Sequence, residues 1–501
     1  MSRSPFRAIV VALALLLPTT TVPAQLIQIK TVPVAQGDQF DIFPSRNLAM
    51  AGVSIALEDR LLDPFVNPAT GARLRGGVVA GAPGVFSVSN DAGGGRTLPV
   101  SLLTRSRSWF GGLSLALQEI DGARRLTPNR FGITELSTVG PAFPDPPPRR
   151  SHGNRFAFGL LGTSFENAGL SLGASVHWAE LNAVDGVEHL YAESVDLAQF
   201  GHIVDARLGL LKQWAGDRSL GATLVHNRVD MTHDVSYLDW FWDPAQQRVV
   251  PQPRLEHNDD RTLTWGAHLE YDQPIPGSQW RAGARLTANV ASHPKIPNYE
   301  IMNIPRDPGR THAYDLGLGF ARIENRTTVG IDAIFEPIWS HTWADAAAPI
   351  ETTGGATLAA GARTIENWFR FANAIVRLGV TQEHPVDASD AVVAMQFGLA
   401  VRSISYRLEQ VDHVQGTERQ QRESWREWMP TWGLRWETPR LTIGYRGSIT
   451  TGTGRPGVAT DGFTRDFAVA QSTVLVAPSG PLTLAGVSVV SHQLSISLPI
   501  H

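Results

Sequence analysis

Residues 280 to 291 alternate without a break. Trp280, Ala282, Ala284, Leu286, Ala288 and Val290 fall on one side of an extended strand, and Arg281, Gly283, Arg285, Thr287 and Asn289 on the other. Successive strand side chains point to opposite faces, so a period of two describes a sheet with one apolar and one polar face. The two arginines make the pattern restrictive, because a one-residue slip would turn both of them to the apolar side. The same alternation recurs elsewhere. Residues 261 to 271 set Leu263, Trp265, Ala267, Leu269 and Tyr271 against Thr262, Thr264, Gly266, His268 and Glu270. Residues 170–178, 312–322 and 493–500 repeat it, and weaker strands are predicted at about 77–89, 97–105, 109–120, 155–165, 203–214, 219–231, 327–339, 366–380, 391–409, 426–437 and 440–450. Within 391–409 the apolar residues move from odd (Val393 to Val401) to even (Ile404, Tyr406, Leu408), which reads as a β-bulge at Arg402-Ser403.

A soluble sheet with one buried face alternates in the same way, so three further features decide for a membrane barrel. Trp109, Trp214, Trp280 and Trp436, with Tyr271, sit beside short connections, where an interfacial aromatic girdle belongs. The strands are about 9 to 12 residues long, enough to cross a bilayer at a tilt. The polar face carries Asp205, Arg207, His268, Glu270, Arg281, Arg285, Asp315, Asp332, Arg435 and Arg446. An arginine facing mid-bilayer lipid costs roughly 2 to 4 kcal/mol, so the slipped register of 280–291 costs roughly 4 to 8 kcal/mol. These charges therefore face a polar lumen, where Glu270, Asp315 and Asp332 can pair with Arg281 and Arg285. Short connections alternate with long ones (121–154, 182–202, 232–260, 292–311, 340–365, 410–425 and 451–490), as periplasmic turns alternate with extracellular loops. The periodicity counts sixteen strands.

Residues 1 to 24 read as a secretory signal peptide. Arg3 and Arg7 precede the apolar run Ala8 to Leu17, and Val22-Pro23-Ala24 forms the cleavage site, so the mature chain is expected to start at Gln25. No later stretch approaches about 18 apolar residues, so a membrane-bound chain must cross as a barrel. There is no cysteine, which excludes disulfides, thiolate metal sites and an acylated-cysteine anchor. A net charge of −4 gives no reason to expect a nucleic-acid partner.

One segment departs from the period of two. In residues 44–74, Leu48, Ala51, Ile55 and Leu62 fall near one helical face, and Gly52 and Ala56 keep that face small. Glu58, Asp59 and Arg60 interrupt it, and Pro64, Asn67-Pro68 and Gly71 end it. The expectation is a helical plug (residues 25–76) inside a barrel (residues 77–501).

The run RNLAMAGVSIALEDRLLDPFVNPA resembles the N-terminal signature of FadL-like outer-membrane transporters and the related PorV-type barrels. The matching positions are Arg46, Leu48, Met50, Gly52, Ala56, Asp59, Asn67, Pro68 and Ala69. The match covers about thirty of 501 residues, and Ala51 stands where the family often has a second glycine. The resemblance implies an all-β transmembrane antiparallel barrel of about 14 strands in the outer membrane of a Gram-negative-type bacterium. It also implies that the N-terminal segment plugs the barrel, and that Asn67, Pro68 and Ala69 form a gate against a kinked strand whose opening releases apolar substrates sideways. Physically, Pro68 stops the helix, Ala69 permits close packing, and Asn67 can hydrogen-bond a strand backbone freed by a kink. Gly111-Gly112 can supply that kink.

No catalytic, cofactor or metal site is expected. The 15 histidines show no HExxH pattern, and there is no Gly-x-Ser-x-Gly. His177 and His268 read as wall histidines, His492 and Ser495 point to opposite faces, and His257 to Asp260 read as a solvated loop. The expected function is passive uptake of hydrophobic small molecules, fatty acids or hydrocarbons, through a mostly polar lumen. Phe65 is then a candidate ligand contact. The alternative is a PorV-like scaffold for secreted proteins that transports nothing. Outer-membrane lipids are partners in either case.

Overall fold

The structure is a computed structural model. It describes residues 26–37, 39–90, 92–122, 151–187, 196–293, 309–346, 348–386, 390–455 and 485–500. The signal peptide, Gln25, the Pro-rich stretch 141–150 and most of 292–311 and 451–490 lie outside the described residues.

The alternating segments form one antiparallel sheet. Its first strands are β1 (Gly77–Gly81), β2 (Gly84–Val88), β3 (Gly94–Ser106), β4 (Trp109–Asp121), β5 (Ser151–Phe165), β6 (Leu170–Leu181) and β7 (Asp196–Trp214). Next come β8 (Arg218–Asp243), β9 (Arg248–Pro274), β10 (Trp280–His293), β11 (Gly309–Glu324) and β12 (Thr327–Asp345). A two-strand hairpin, β13 (Ile350–Glu351) with β14 (Thr357–Leu358), stands apart. The sheet resumes with β15 (Arg363–Pro385), β16 (Val392–Asp412), β17 (Thr417–Glu437), β18 (Thr442–Arg455) and β19 (Ala485–Ile500). β1 and β2 both pair with β3, each later strand of the sheet pairs with the next, and β19 returns to β1 and β2, so the sheet closes on itself.

β1 and β2 are one stave. Gly81 faces Ile496 and Gly84 faces Gln493, so the register runs unchanged across Ala82-Pro83. Pro83 has no N–H to give the ladder, and Pro99 stands opposite Ala82 on β3, where its carbonyl accepts from Ala82 N at 3.4 Å. With this stave counted once, the described residues form sixteen staves. That is the number counted from periodicity, not the fourteen implied by the resemblance.

Side chains sort as the arginines required. Arg281 and Arg285 point inward and are paired with Asp272 and Asp315. Leu286, Leu316, Leu318 and Phe320 are exposed on the outer wall. Trp109, Trp214, Trp280 and Trp436 are 39–58% exposed and ring the end where the tight turns lie. Those turns use left-handed residues such as Arg107, Asp217 and Asn325. An outer belt this apolar, bordered by tryptophans, is the surface of a barrel that faces hydrocarbon. Among the described residues no helix is long and apolar enough to cross a membrane.

Three sequence expectations are corrected. The stretches 232–260 and 410–425 are not loops but strand extensions: β8 and β9 pair from Ser219–Asp272 up to Asp243–Arg248, and β16 and β17 pair up to Asp412–Thr417. Strands thus run well past the expected 9 to 12 residues, because antiparallel pairing continues beyond the apolar belt. No bulge occurs at Arg402-Ser403: the ladder with β15 skips the steps at Ile404 and Ser405 but keeps its register across them, and the pairing with β17 is continuous. Ile404, Tyr406 and Leu408 face the lumen and are buried, the last two against Ile27, Phe369 and Phe371. The apolar residues change sides there because an internal partner covers them, not because the register slips.

Candidate functional site

The chain from Leu26 to Leu74 touches lumen-facing residues on opposite sides of the ring. Ile27 N donates to Asn289 Oδ1 of β10 at 3.1 Å, Val34 bridges to Gly454 of β18, and Ile42 packs on Ala116, Phe156 and Ile203 of β4, β5 and β7. The amphipathic helix expected at 44–62 does not form. Leu48–Met50 is a single 3-10 turn ended by Ala51 and Gly52, both in left-handed backbone (φ 55° and 71°). Among the described residues the one α-helix, α1 (Asp63–Val66), has four residues. Backbone groups that a helix would pair internally are instead met by the wall and by Asp59. One carboxylate oxygen of Asp59 accepts from Ser45 Oγ, Arg46 N and Asn47 N, and the other from Leu61 N and Leu62 N. A polar group buried without a partner is costly, and these contacts remove that cost.

One side of the lumen is charged and built from glycine. Asp332 of β12 accepts from Ser54 N at 2.9 Å and Ile55 N at 3.4 Å, and Arg377 of β15 donates to Gly52 O at 3.2 Å. Thr431 of β17 donates to Ala49 O (2.7 Å) and accepts from Ala51 N (3.1 Å). The segment comes this close because Gly283, Gly319, Gly379 and Gly398 face it. A Cβ at Gly283 would strike Ile55 O, and one at Gly379 would lie 2.7 Å from Met50 O. Arg285 pairs in two places with Asp315 (3.0 and 2.7 Å), so Asp332 is free to serve the segment rather than an arginine.

The opposite side is aromatic. Phe65 is buried and stacks on Phe43 with centroids 4.1 Å apart, and both rings meet Phe158 of β5 (4.8 and 5.4 Å). Leu103, Phe110 and Leu160 complete the cluster. Sequence reasoning missed this lining. Its signal was the weak alternation of β4 and β5, which are apolar on both faces, as strands covered on both sides are.

Asn67, Pro68 and Ala69 lie beside β6, β7 and β8. Asn67 caps the 3-10 turn Pro68–Arg73 by accepting from Ala69 N at 3.0 Å, and its Nδ2 donates to Leu210 O of β7 at 3.2 Å. A Cβ at Gly173 would fall 2.6 Å from Pro68 C. The strand they touch has an unbroken ladder, since β7 pairs continuously with β6 and β8. Gly111-Gly112 does not break the wall either. β4 is regularly paired there on both edges, and Gly112 makes room for Leu103. At Ala82-Pro83 the ladder lacks only the N–H of Pro83, while Ala82 N still donates to Pro99 O and Pro83 O accepts from Leu494 N.

Among the remaining polar groups, His268 Nδ1 is 2.8 Å from Thr287 Oγ1, and its Nε2 is 3.7 Å from Glu270. His177 is buried and stacks on Phe156. His257 lies in β9, not a loop, with Nδ1 2.6 Å from Asp234. Burial drives the Asp63 carboxyl well above its ordinary range, with the Asp59 and Glu270 charges adding to the effect. Burial likewise lowers Lys30, opposed by Glu427 at 3.1 Å. Past the end of β6, Asp185 is pushed up to about 7 by burial, while Gly37 N, 2.6 Å from Oδ2, pulls it back. No group of three or more metal-ligating side chains occurs among the described residues.

A shallow cleft opens beside residues 44–46. Its lining joins lumen-facing Arg46, Gln396 and Arg446 to Leu434, Tyr445 and Ile496 of the outer face, across Gly444 and Ser495.

No family model matches the chain, and no curated protein matches it. Among solved structures it is similar to a Pseudomonas aeruginosa FadL homologue (12% identity, TM-score 0.42, covering 92% of this chain and 99% of that one). It is also similar to the Pseudomonas putida toluene transporter TodX (11%, 0.41, 95% and 100%) and the Ralstonia pickettii toluene transporter TbuX (11%, 0.40, 93% and 100%).

Proposed function

We propose that this chain is an outer-membrane channel of the FadL type. It passes hydrophobic small molecules without catalysis, and residues 25–76 act as its plug. One observation carries the reading: the lumen has an apolar lining where the sequence led us to expect a polar one. Phe43, Phe65, Phe110, Phe158 and Leu160 form one apolar surface, and Ile27, Phe369, Phe371, Tyr406 and Leu408 form another. Aromatic and aliphatic walls with few polar groups are what a hydrocarbon or acyl chain requires of a path. In this reading Asn67, Pro68 and Ala69 are the gate, and because they rest on an unbroken wall, gating requires the segment itself to move. Phe65 is the ring an entering molecule would displace from Phe43. Uptake into liposomes of a panel of fatty acids and aromatic hydrocarbons, comparing the full chain with a deletion of residues 44–70, tests the proposal. Passage should change sharply on deletion, and unchanged uptake and binding would remove the plug from the mechanism.

A PorV-like scaffold is the second reading, favoured by the ordered hairpin of β8 and β9, which continues far past the apolar belt. It predicts no uptake in either form and capture of a secreted protein by that hairpin.

A further inference from the structure

Around most of the rim beyond the apolar belt, outward charges neutralise one another within and across strands. Arg96 pairs with Glu119, Arg155 with Glu180, and Asp230 with both Arg228 and Arg261. The outer face of β15, β16 and β17 is built differently. Arg370 stands directly opposite Arg407, and Arg407 directly opposite Arg422. Like charges so placed repel. Arg407 has one acidic partner, Glu409 at 3.1 Å. Arg370, Arg422 and the nearby Arg426 are exposed and make no ion pair among the described residues. Three arginines thus stand without a counter-charge on one patch.

The surface beneath them is suited to acyl chains. Directly below the row come Ala372, Ser405 and Ser424, all small, then Ala374 and Ser403 beside Arg426, with exposed Trp339 and Trp428 at the margins. The height also fits. Val393 faces the girdle residue Trp436, and Arg407 lies fourteen residues further along β16. At about 3.3 Å per residue and a tilt of about 45°, that is roughly 33 Å, just beyond an apolar band of about 25 Å.

We propose that this patch binds the phosphate headgroup of an anionic lipid of the outer leaflet, with the acyl chains lying over the small-residue surface below. The proposal rests on the membrane reading above but not on transport. A phosphate placed among the arginines accepts charge-assisted hydrogen bonds and relieves the repulsion along the row.

The test is native mass spectrometry of the folded full chain in non-ionic detergent, with equimolar dioleoylphosphatidic acid and dioleoylphosphatidylcholine. The wild type should retain the anionic lipid preferentially. A triple variant, R370Q/R422Q/R426Q, should bind it about a hundredfold more weakly, and the matching triple lysine variant should recover most of the loss. The control R96Q/R155Q, which removes arginines already paired, should bind like wild type. Heat-modifiable gel mobility verifies that each variant folds. Equal retention of the two lipids, wild-type binding by the triple glutamine variant, or displacement of the lipid by excess inorganic phosphate would each overturn the assignment. Uptake measured in parallel keeps the two readings apart, since absent transport leaves the lipid contrast intact.

Discussion

On the side of β11 to β17, Asp332, Arg377 and Thr431 reach the backbone of residues 49–55. On the side of β3 to β6, Phe110, Phe158 and Leu160 surround the rings of Phe43 and Phe65. The first grip is directional. It fixes individual N–H and C=O groups, and it needs glycines so that two backbones can meet. The second is non-directional and scales with buried area, so it tolerates sliding. A segment held in these two ways would release first where contacts can slide. Movement is therefore expected at residues 43 and 65–69, with 49–55 as the fixed end.

The largest effect that can break this comparison is expected at the glycine contacts. Gly283→Leu would drive a side chain into the Ile55 carbonyl, which is backbone and cannot turn aside. Overpacking costs about 1 to 3 kcal/mol, and leaving the buried Asp332 carboxylate without the Ser54 and Ile55 N–H donors costs about 1 to 3 kcal/mol more. Residues 49–57 should leave the wall, visible as raised conductance in planar bilayers and as new protease cleavage in that stretch. Gly159→Leu, where a Cβ meets nothing within 4 Å, should change neither. If Gly283→Leu left conductance and cleavage at wild-type levels, the fixed end would not be fixed.

Next in size is the aromatic side. Phe65→Ala removes a buried ring stacked on Phe43 and should cost about 3 to 5 kcal/mol of local stability. Hydrogen exchange should rise in residues 63–74 and stay unchanged in 49–55, with the same difference at low and high salt because no charge is lost. Coupled release of both stretches would show that the two grips act as one.

How far these contrasts could be read from the residues depends on what partner each face has. Strands with one face on lipid and one on a polar lumen, such as β10 and β11, declared themselves through Arg281, Arg285 and Asp315. β4, β5 and the far half of β16 did not, because the N-terminal segment covers their inner faces and erases the alternation. The same cause misled the reading of residues 44–62. Leu48, Ala51 and Ile55 are spaced as in a helix, yet Ala51 and Gly52 turn left-handed and Ile55 fits against Gly319 of the wall. Helical spacing reports only that several residues need burial, and a surrounding wall can bury them without a helix. The strand number was legible because tight turns and two-residue periods are local. The pairing of β8 with β9 beyond the bilayer was not, since strand extensions in water carry charges as a loop does.

The smallest expected effect concerns an ionic group on the aromatic side. Asp185 is buried beside the Ala35, Phe86 and Ala183 cluster, and it ties the chain after β6 to residues 36–39. Its Oδ2 accepts from Gly37 N, its own N–H donates to Gln39 Oε1 at 2.9 Å, and its carbonyl accepts from Gln36 Nε2 at 3.3 Å. Burial raises the carboxyl to about 7, which means the docked arrangement favours the neutral acid. A raised value contributes stability that is fully present below the ordinary carboxylate range and is lost as pH rises through about 7. The contact should therefore loosen progressively from about pH 4 to about pH 7 and change little above that, read as faster hydrogen exchange at residues 36–39 and 183–187 after correction for the intrinsic rate. Asp185→Asn keeps the acceptor oxygen and removes the titration, so exchange there should become independent of pH, while residues 49–55 should behave alike in both proteins. A wild-type contact that tightened with rising pH would mean that the carboxylate, not the acid, is the docked form.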